Sequence, residues 1–225
     1  AEITGVTAEN LADVNAAIDA AEATGADTVS EIQGIVDQVI ADLAAAAAVV
    51  AAVDKIEAYA GSNTNPAPEL ADYSTAGITG VTVENLSDVN AAVDAVEATG
   101  ADTVSEIQGI VDQVIADLAA AAAVVAAIDK IEAYAGSNTN PAPEVVDYST
   151  AEITGVTAEN LADVNAAIDA AEATGADTAS EIQAIVDQVI ADLAAAAAVV
   201  AAVNKIEAYA GSNTNPAPEL ADYST

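Results

Sequence analysis

The sequence predicts an all-α protein made of tandem helical repeats. Three observations carry that reading. Alanine, the strongest helix former, is abundant, whereas Phe, Trp, Met, Cys and His are all absent from the 225 residues. Apolar residues recur at steps of three and four, the spacing of one helix face. The chain is also three near-copies of one segment, residues 1–75, 76–150 and 151–225. The third copy differs from the first only at Ala179 for Val29, Ala184 for Gly34 and Asn204 for Asp54. A fixed period of this kind is the signature of a repeat array, stabilised by each repeat and by its interfaces with neighbours.

Each period reads as a short, a medium and a long helix packed into an elongated bundle or array. The unit that straddles the first boundary shows them in order. Asn63 to Pro68 is a linker of turn residues with two prolines. A short helix follows from Glu69 to about Ala76, with Pro68 suited to its entry and Gly77 as its stop. Ile78-Thr-Gly-Val81 is a tight connection. The medium helix is expected to start at Thr82 as N-cap, with Glu84 favourable to the dipole, and to reach about Ala98. Leu86, Val89, Val93 and Val96 form its inner face, with Asn90 beside it as a polar contact between helices, as Asn15 and Asn165 would be in the other copies.

The long helix opens on Thr103-Val-Ser-Glu106, a capping-box pattern, and runs for about 32 residues, close to 48 Å. In the first copy Val29, Ile32, Val36, Val39, Leu43, Ala46, Val50 and Val53 alternate at three and four, a heptad face able to pack on other helices. The structural units are thus out of phase with the sequence copies, for example 66–136 and 141–211, with linkers near 61–68, 136–143 and 211–218.

The two ends of this helix differ. Before Asp42 its outer face carries Glu31, Gln33, Asp37 and Gln38, but Leu43 to Val53 reads LAAAAAVVAAV and has no polar side chain. The run returns at Leu118 to Ile128 and at Leu193 to Val203. A helix that is apolar all round is normally buried all round, and the two shorter helices are too small to cover a 48 Å rod on every side. The run is therefore read as an assembly seam between repeats or chains, carried by Leu43, Ala46, Val50 and Val53, by Leu118, Ala121, Val125 and Ile128, and by Leu193, Ala196, Val200 and Val203.

Charge excludes several function classes. Thirty-seven acids face three lysines, a formal net charge of −34. Nucleic-acid binding needs cations to displace counterions from phosphates, and an anionic membrane surface would repel the chain. The uninterrupted apolar run is about 16 Å long, short of the roughly 20 residues of a spanning helix, so no membrane insertion is expected. No basic and apolar leader is visible at the start.

No catalytic set appears. Without His or Cys the usual nucleophile–base pairs cannot form, and carboxylates are so frequent that chance pairs are expected; the chain reads as a non-enzyme. No cofactor is expected, and no Ca²⁺-loop pattern is present, which leaves diffuse Ca²⁺ or other counterions on an acidic surface. Lys55, Lys130 and Lys205 are the sole cation of each copy. Each reads as a helix-end charge with an acidic partner, such as Asp54 or Glu57 for Lys55; the sharper alternative is a covalent isopeptide crosslink to Asn or Asp. Tyr59 and Tyr73, with their counterparts, flank the linker and are expected to pin it to the bundle, rings buried and hydroxyls outward. Asn85-Leu-Ser87 matches an N-glycosylation pattern inside an expected helix.

Asp72-Tyr-Ser-Thr-Ala-Gly-Ile-Thr-Gly-Val-Thr-Val-Glu-Asn-Leu-Ser-Asp-Val-Asn-Ala-Ala-Val93, followed by Ala101-Asp-Thr-Val-Ser-Glu-Ile-Gln108 and closed by Lys130-Ile-Glu-Ala-Tyr-Ala135, resembles the tandem helical repeats of very large bacterial surface and extracellular proteins of the adhesin type. The departure is the alanine run, which lengthens the last helix. The resemblance implies secretion to the cell surface and a role as stalk, spacer or fibre.

The functional expectation is a structural extracellular repeat protein that forms a fibre, filament or adhesin stalk through its Ala/Val-rich segments. Its expected partner is itself, as a homo-oligomer or head-to-tail filament in which Pro216 to Thr225 serves the start of the next chain; an excerpt of a longer array is the alternative. A three-helix binding module for a host protein or glycan and a Ca²⁺-stiffened extender are the other two readings.

Overall fold

A computed structural model describes residues 2–21, 25–62, 64–137, 139–171, 175–210 and 214–224. Among them every regular element is helical: α1 (Leu11–Ala20), α2 (Val29–Tyr59), α3 (Leu70–Thr75), α4 (Leu86–Asp94), α5 (Val104–Tyr134), α6 (Val145–Thr150), α7 (Leu161–Ala170) and α8 (Ala179–Ala210), with 3₁₀ turns at Ala98–Gly100 and Leu220–Tyr223. The chain divides into two compact units, Ala1–Asp117 and Leu118–Thr225, and the division falls inside α5.

The first unit holds two cores. One joins the start of α2, through Val36 and Val39, to Val14 of α1 and to Ile3, Ala17 and Ile18. The other joins the end of α2 to the beginning of the next long helix: Val53 and Ile56 pack with Tyr73 of α3, Val89 and Val93 of α4, and Ile107, Val111 and Val114 of α5. In the second unit Ala127 and Ile131 of α5, with Ala135 just past its end, meet Tyr148 of α6, Val164 and Ile168 of α7, and Ile182 and Val186 of α8. A long helix thus contributes one end to one core and its other end to another.

Local chemistry explains the boundaries. The Thr28 Oγ1 accepts from the Glu31 N–H at 3.2 Å and the Glu31 carboxylate accepts from the Thr28 N–H at 3.0 Å, a capping box that starts α2. The medium helix is shorter than the sequence suggested. Asn85, not Thr82, sets its start: its Oδ1 accepts from the Thr82 N–H at 2.7 Å and its Nδ2 donates to the Gly80 carbonyl at 2.9 Å. This side-chain turn satisfies the Thr82 N–H and the Gly80 carbonyl just ahead of the regular helix. Gly80 itself has φ +85°, and a Cβ there would fall 2.6 Å from Ile115 Cδ1 on the long helix. The left-handed backbone is what demands glycine here; a larger residue would also require the Ile115 terminal methyl to turn aside.

Polar clips hold the connections to the helices. Gln108 on α5 grips the connection before α4 at two points, donating to the Thr79 carbonyl at 3.1 Å and accepting from its N–H at 2.9 Å. Asn90 of α4 donates to the Pro68 carbonyl at 3.0 Å and accepts from the Tyr73 hydroxyl at 2.6 Å. Tyr148 and Asn165 repeat this arrangement, with Pro143 as acceptor. The outward hydroxyls expected for Tyr73 and Tyr148 are therefore corrected. Their rings are fully buried, and a phenol so placed needs a partner inside the bundle, which the asparagine supplies.

Lys55 pairs with neither Asp54 nor Glu57 but with Asp72 of α3, Nζ to Oδ2 at 2.5 Å; Lys130–Asp147 and Lys205–Asp222 match it at 2.5 and 2.6 Å. The same Asp72 oxygen accepts from the Glu69 N–H at 2.7 Å, so one carboxylate both starts the short helix and ties it to the long one. Burial pushes the Asp72 and Asp147 carboxyls up, but hydrogen bonds from the lysine and the backbone, with the lysine's charge, outweigh it and hold them below the usual range.

Two predictions follow from these contacts. Tyr73→Phe leaves Asn90 short of a donor and is expected to cost about 1–2 kcal/mol in urea unfolding, whereas Tyr223→Phe, at an exposed ring, leaves stability unchanged. A carboxyl with a depressed folded pKa favours folding in full above its ordinary value of 3.8 and loses that contribution as pH falls through the folded value. The stability difference between wild type and Asp72→Asn/Asp147→Asn should thus be constant above about pH 5 and shrink progressively below 3.8. Using the difference removes the opposing gain from neutralising the other acids.

Candidate assembly surface

The Ala/Val-rich run occupies the middle of each long helix, between the segments that enter cores. In the first copy Leu43 is 40% and Val50 58% exposed, Ala44 to Ala48 are exposed, and only Val49 is half-buried. Leu118, Ala121 and Val125 are exposed in α5, as are Leu193, Ala196 and Val200 in α8. The twelve positions of the expected seam do not share one environment. Val53 is buried in the core with Ile56, Ile128 packs against the core of the second unit, and Val203 is exposed. The remaining nine lie on open helix surface.

Sequence and local physics account for this pattern. Helix propensity carries the backbone through the run without a break, because alanine loses no side-chain entropy. Covering the run needs a neighbour, and α1, α3 and α4 all end their contacts at the two cores. Beside the start of the run on α2 the surface dips into a recess of about 420 Å³, floored by Ala17, Gly34, Ile35 and Val39 and rimmed by Glu31, Gln38 and Asp42. Similar recesses of about 420 and 450 Å³ lie beside the starts on α5 and α8. Nothing lies within 4 Å of a Cβ placed at Gly34 or Gly109.

Among the described residues no set of three or more acidic side chains is arranged to hold a metal ion. Acidic pairs do occur: Asp102 is raised by the adjoining Glu106, Glu106 is lowered by the Thr103 hydroxyl and by Asp102, and Asp177 and Glu181 repeat the pairing. Asn85 of the glycosylation pattern is buried and spent on its turn. Asn90 and Asn165 bridge elements, whereas Asn15 is exposed.

Each long helix also contains an 18-residue stretch of mean hydropathy 1.9 with at most two charges, of which 17%, 11% and 6% is buried in α2, α5 and α8. By length and composition all three are long and apolar enough to cross a membrane. The short uninterrupted run on which the sequence argument relied does not exclude this, because a spanning segment tolerates a few interruptions.

No family model, no curated protein and no solved structure matches the chain.

The contrast along one helix is testable. Ile56→Ala, at a fully buried position, should cost about 2–5 kcal/mol. Val50→Ala, three residues before Val53, should change the stability of the dilute chain by less than about 0.5 kcal/mol, both read by chemical denaturation.

Proposed function

We propose that this is a structural protein of the bacterial cell surface or extracellular space. In this reading 75-residue helical repeats form an elongated array, and the Ala/Val-rich segments pack side by side to build a fibre or stalk. The observation that carries it is the exposure of three apolar, all-round helix segments in a chain of net charge −34. Contiguous apolar surface of that kind marks interaction sites. Alanine and valine let helix axes approach to about 8 Å, so a long, narrow contact without large side chains is still worth making. The acids set the conditions. Copies repel one another at low ionic strength, and salt shortens the reach of that repulsion to about 8 Å at physiological strength. The likeness to adhesin-type repeats supports the surface location.

The composition of α2, α5 and α8 favours a second reading, insertion of these helices into a bilayer. Against it stand Asp37 and Asp42 and their counterparts, each costing about 2.5–3.5 kcal/mol at a bilayer centre.

Ala46→Glu, Ala121→Glu and Ala196→Glu together place a charge in every run at exposed positions and retain a good helix former. Sedimentation should show wild-type association rising with salt, and the triple variant associating at least about tenfold more weakly. Equal association of the two chains would overturn the lateral contact. Flotation of the wild type with neutral phosphatidylcholine vesicles would instead establish the membrane reading.

A further inference from the structure

One line along the long helix is set apart by its charges. On α2 it runs Asp37, Ala41, Ala44, Ala48, Ala51, Lys55, at steps of four and three, and every one of these residues is exposed. At 3.6 residues per turn they all fall within about 40° of one line parallel to the helix axis. The other acids of α2, Glu31, Asp42, Asp54 and Glu57, lie about 100° or more round the helix from it. In a chain of net charge −34 this face therefore carries one acid, one cation and only alanine between them. Ala46 of the expected seam points to the opposite side, about 180° away, so this is a second face of the same run. Asp187 and Lys205 end the same line on α8, and Asp112 and Lys130 hold the corresponding positions of the middle copy; all four are exposed.

Both charges are held in place. The Gln33 Nε2 donates to the Asp37 Oδ1 at 2.8 Å, and Gln183 holds Asp187 in the same way at 2.8 Å. Lys55 spends one of its three donors on Asp72 and keeps a side chain that is 41% exposed. The acid and the lysine stand at opposite ends of the line, about 27 Å apart along the axis. Two such faces laid parallel and in register would set lysine against lysine and aspartate against aspartate. Laid antiparallel, they set Asp37 of each copy against Lys55 of the other. Positions 37 and 55, 41 and 51, and 44 and 48 share one midpoint, so the alanines then meet alanines. Alanine lets the axes close to about 8 Å, within the reach of a lysine side chain.

We infer that a second copy of this chain pairs antiparallel across this face, in a two-fold contact closed at both ends by Asp37–Lys55 ion pairs. The argument for the partner is charge complementarity: the face matches itself in one direction only. This rests on the self-assembly reading for the identity of the partner and adds a direction and a second surface to it, since Leu43, Ala46 and Val50 take no part.

The test uses the full chain carrying Ala46→Glu, Ala121→Glu and Ala196→Glu, so that the seam does not contribute. Sedimentation at moderate salt should show concentration-dependent association. Adding Asp37→Lys, Asp112→Lys and Asp187→Lys makes the chain less acidic, yet sets lysine against lysine at every such contact, and should weaken association at least about tenfold. Association as strong or stronger would refute the pairing, because overall charge alone would then govern it. Direction is read with cysteine, which the chain lacks. In the same background, a chain with Ala44→Cys, Ala119→Cys and Ala194→Cys is mixed with one carrying Ala48→Cys, Ala123→Cys and Ala198→Cys. Mixed disulfide dimers should form at least about tenfold faster than either chain links to itself, since a disulfide needs the two Cα atoms within about 7 Å. Self-links formed as fast or faster would exclude the antiparallel arrangement. A background chain that stays monomeric at every concentration would overturn the second face and leave the seam to be judged by its own comparison with wild type.

Discussion

The structure depends on the packing of the end of one long helix against the beginning of the next. Ile56 and Ile107 lie in one core and belong to different long helices; Ile131 and Ile182 repeat the relation. This is a consequence of side-chain size. With no Phe, Trp or Met available, a three-helix hairpin has little bulk with which to fill its interior, and interiors must be filled to crystal-like density. A fourth helical segment brought in from the neighbouring copy supplies the missing volume. Tyr73 and Tyr148, the largest buried side chains, sit where the four segments meet.

Sharing a helix between cores has a cost at its centre. Leu43 to Ala51 is too far from either core to be covered by α1, α3 or α4, and it carries no polar group to satisfy water. The acids flank it at Asp37, Asp42 and Asp54. That arrangement sets short-range attraction between small apolar faces against longer-range repulsion between acidic ones. The balance moves with ionic strength, because salt screens the second and not the first.

The sequence made the helices legible where a local signal existed. The capping box at Thr28, the stops after Tyr59 and Tyr134, and the eight apolar positions of the long-helix face could all be read from spacing and propensity. The medium helix was read as longer because Thr82 looked like its cap; the Thr82 hydroxyl does accept from the Asn85 N–H at 3.4 Å, but the regular helix begins only after Asn85, whose side chain holds the Thr82 N–H and the Gly80 carbonyl in the preceding turn. The partner of Lys55 was missed for a different reason. Asp54 and Glu57 are near in sequence, but Asp72 is brought back by the linker. The inward turn of the Tyr73 hydroxyl also depended on a residue 17 positions away.

What the sequence by itself determined is the helical class, the recurrence of one segment, and the existence of an apolar run without a polar face, since these follow from composition and from spacing along the chain. Which part of the long helix is covered was decided only in three dimensions. The heptad positions from Val29 to Val53 look alike in sequence, yet Val36 and Val53 are buried and Leu43 and Val50 are not. Burial depends on what stands opposite each turn of the helix, and the short partners reach only its two ends.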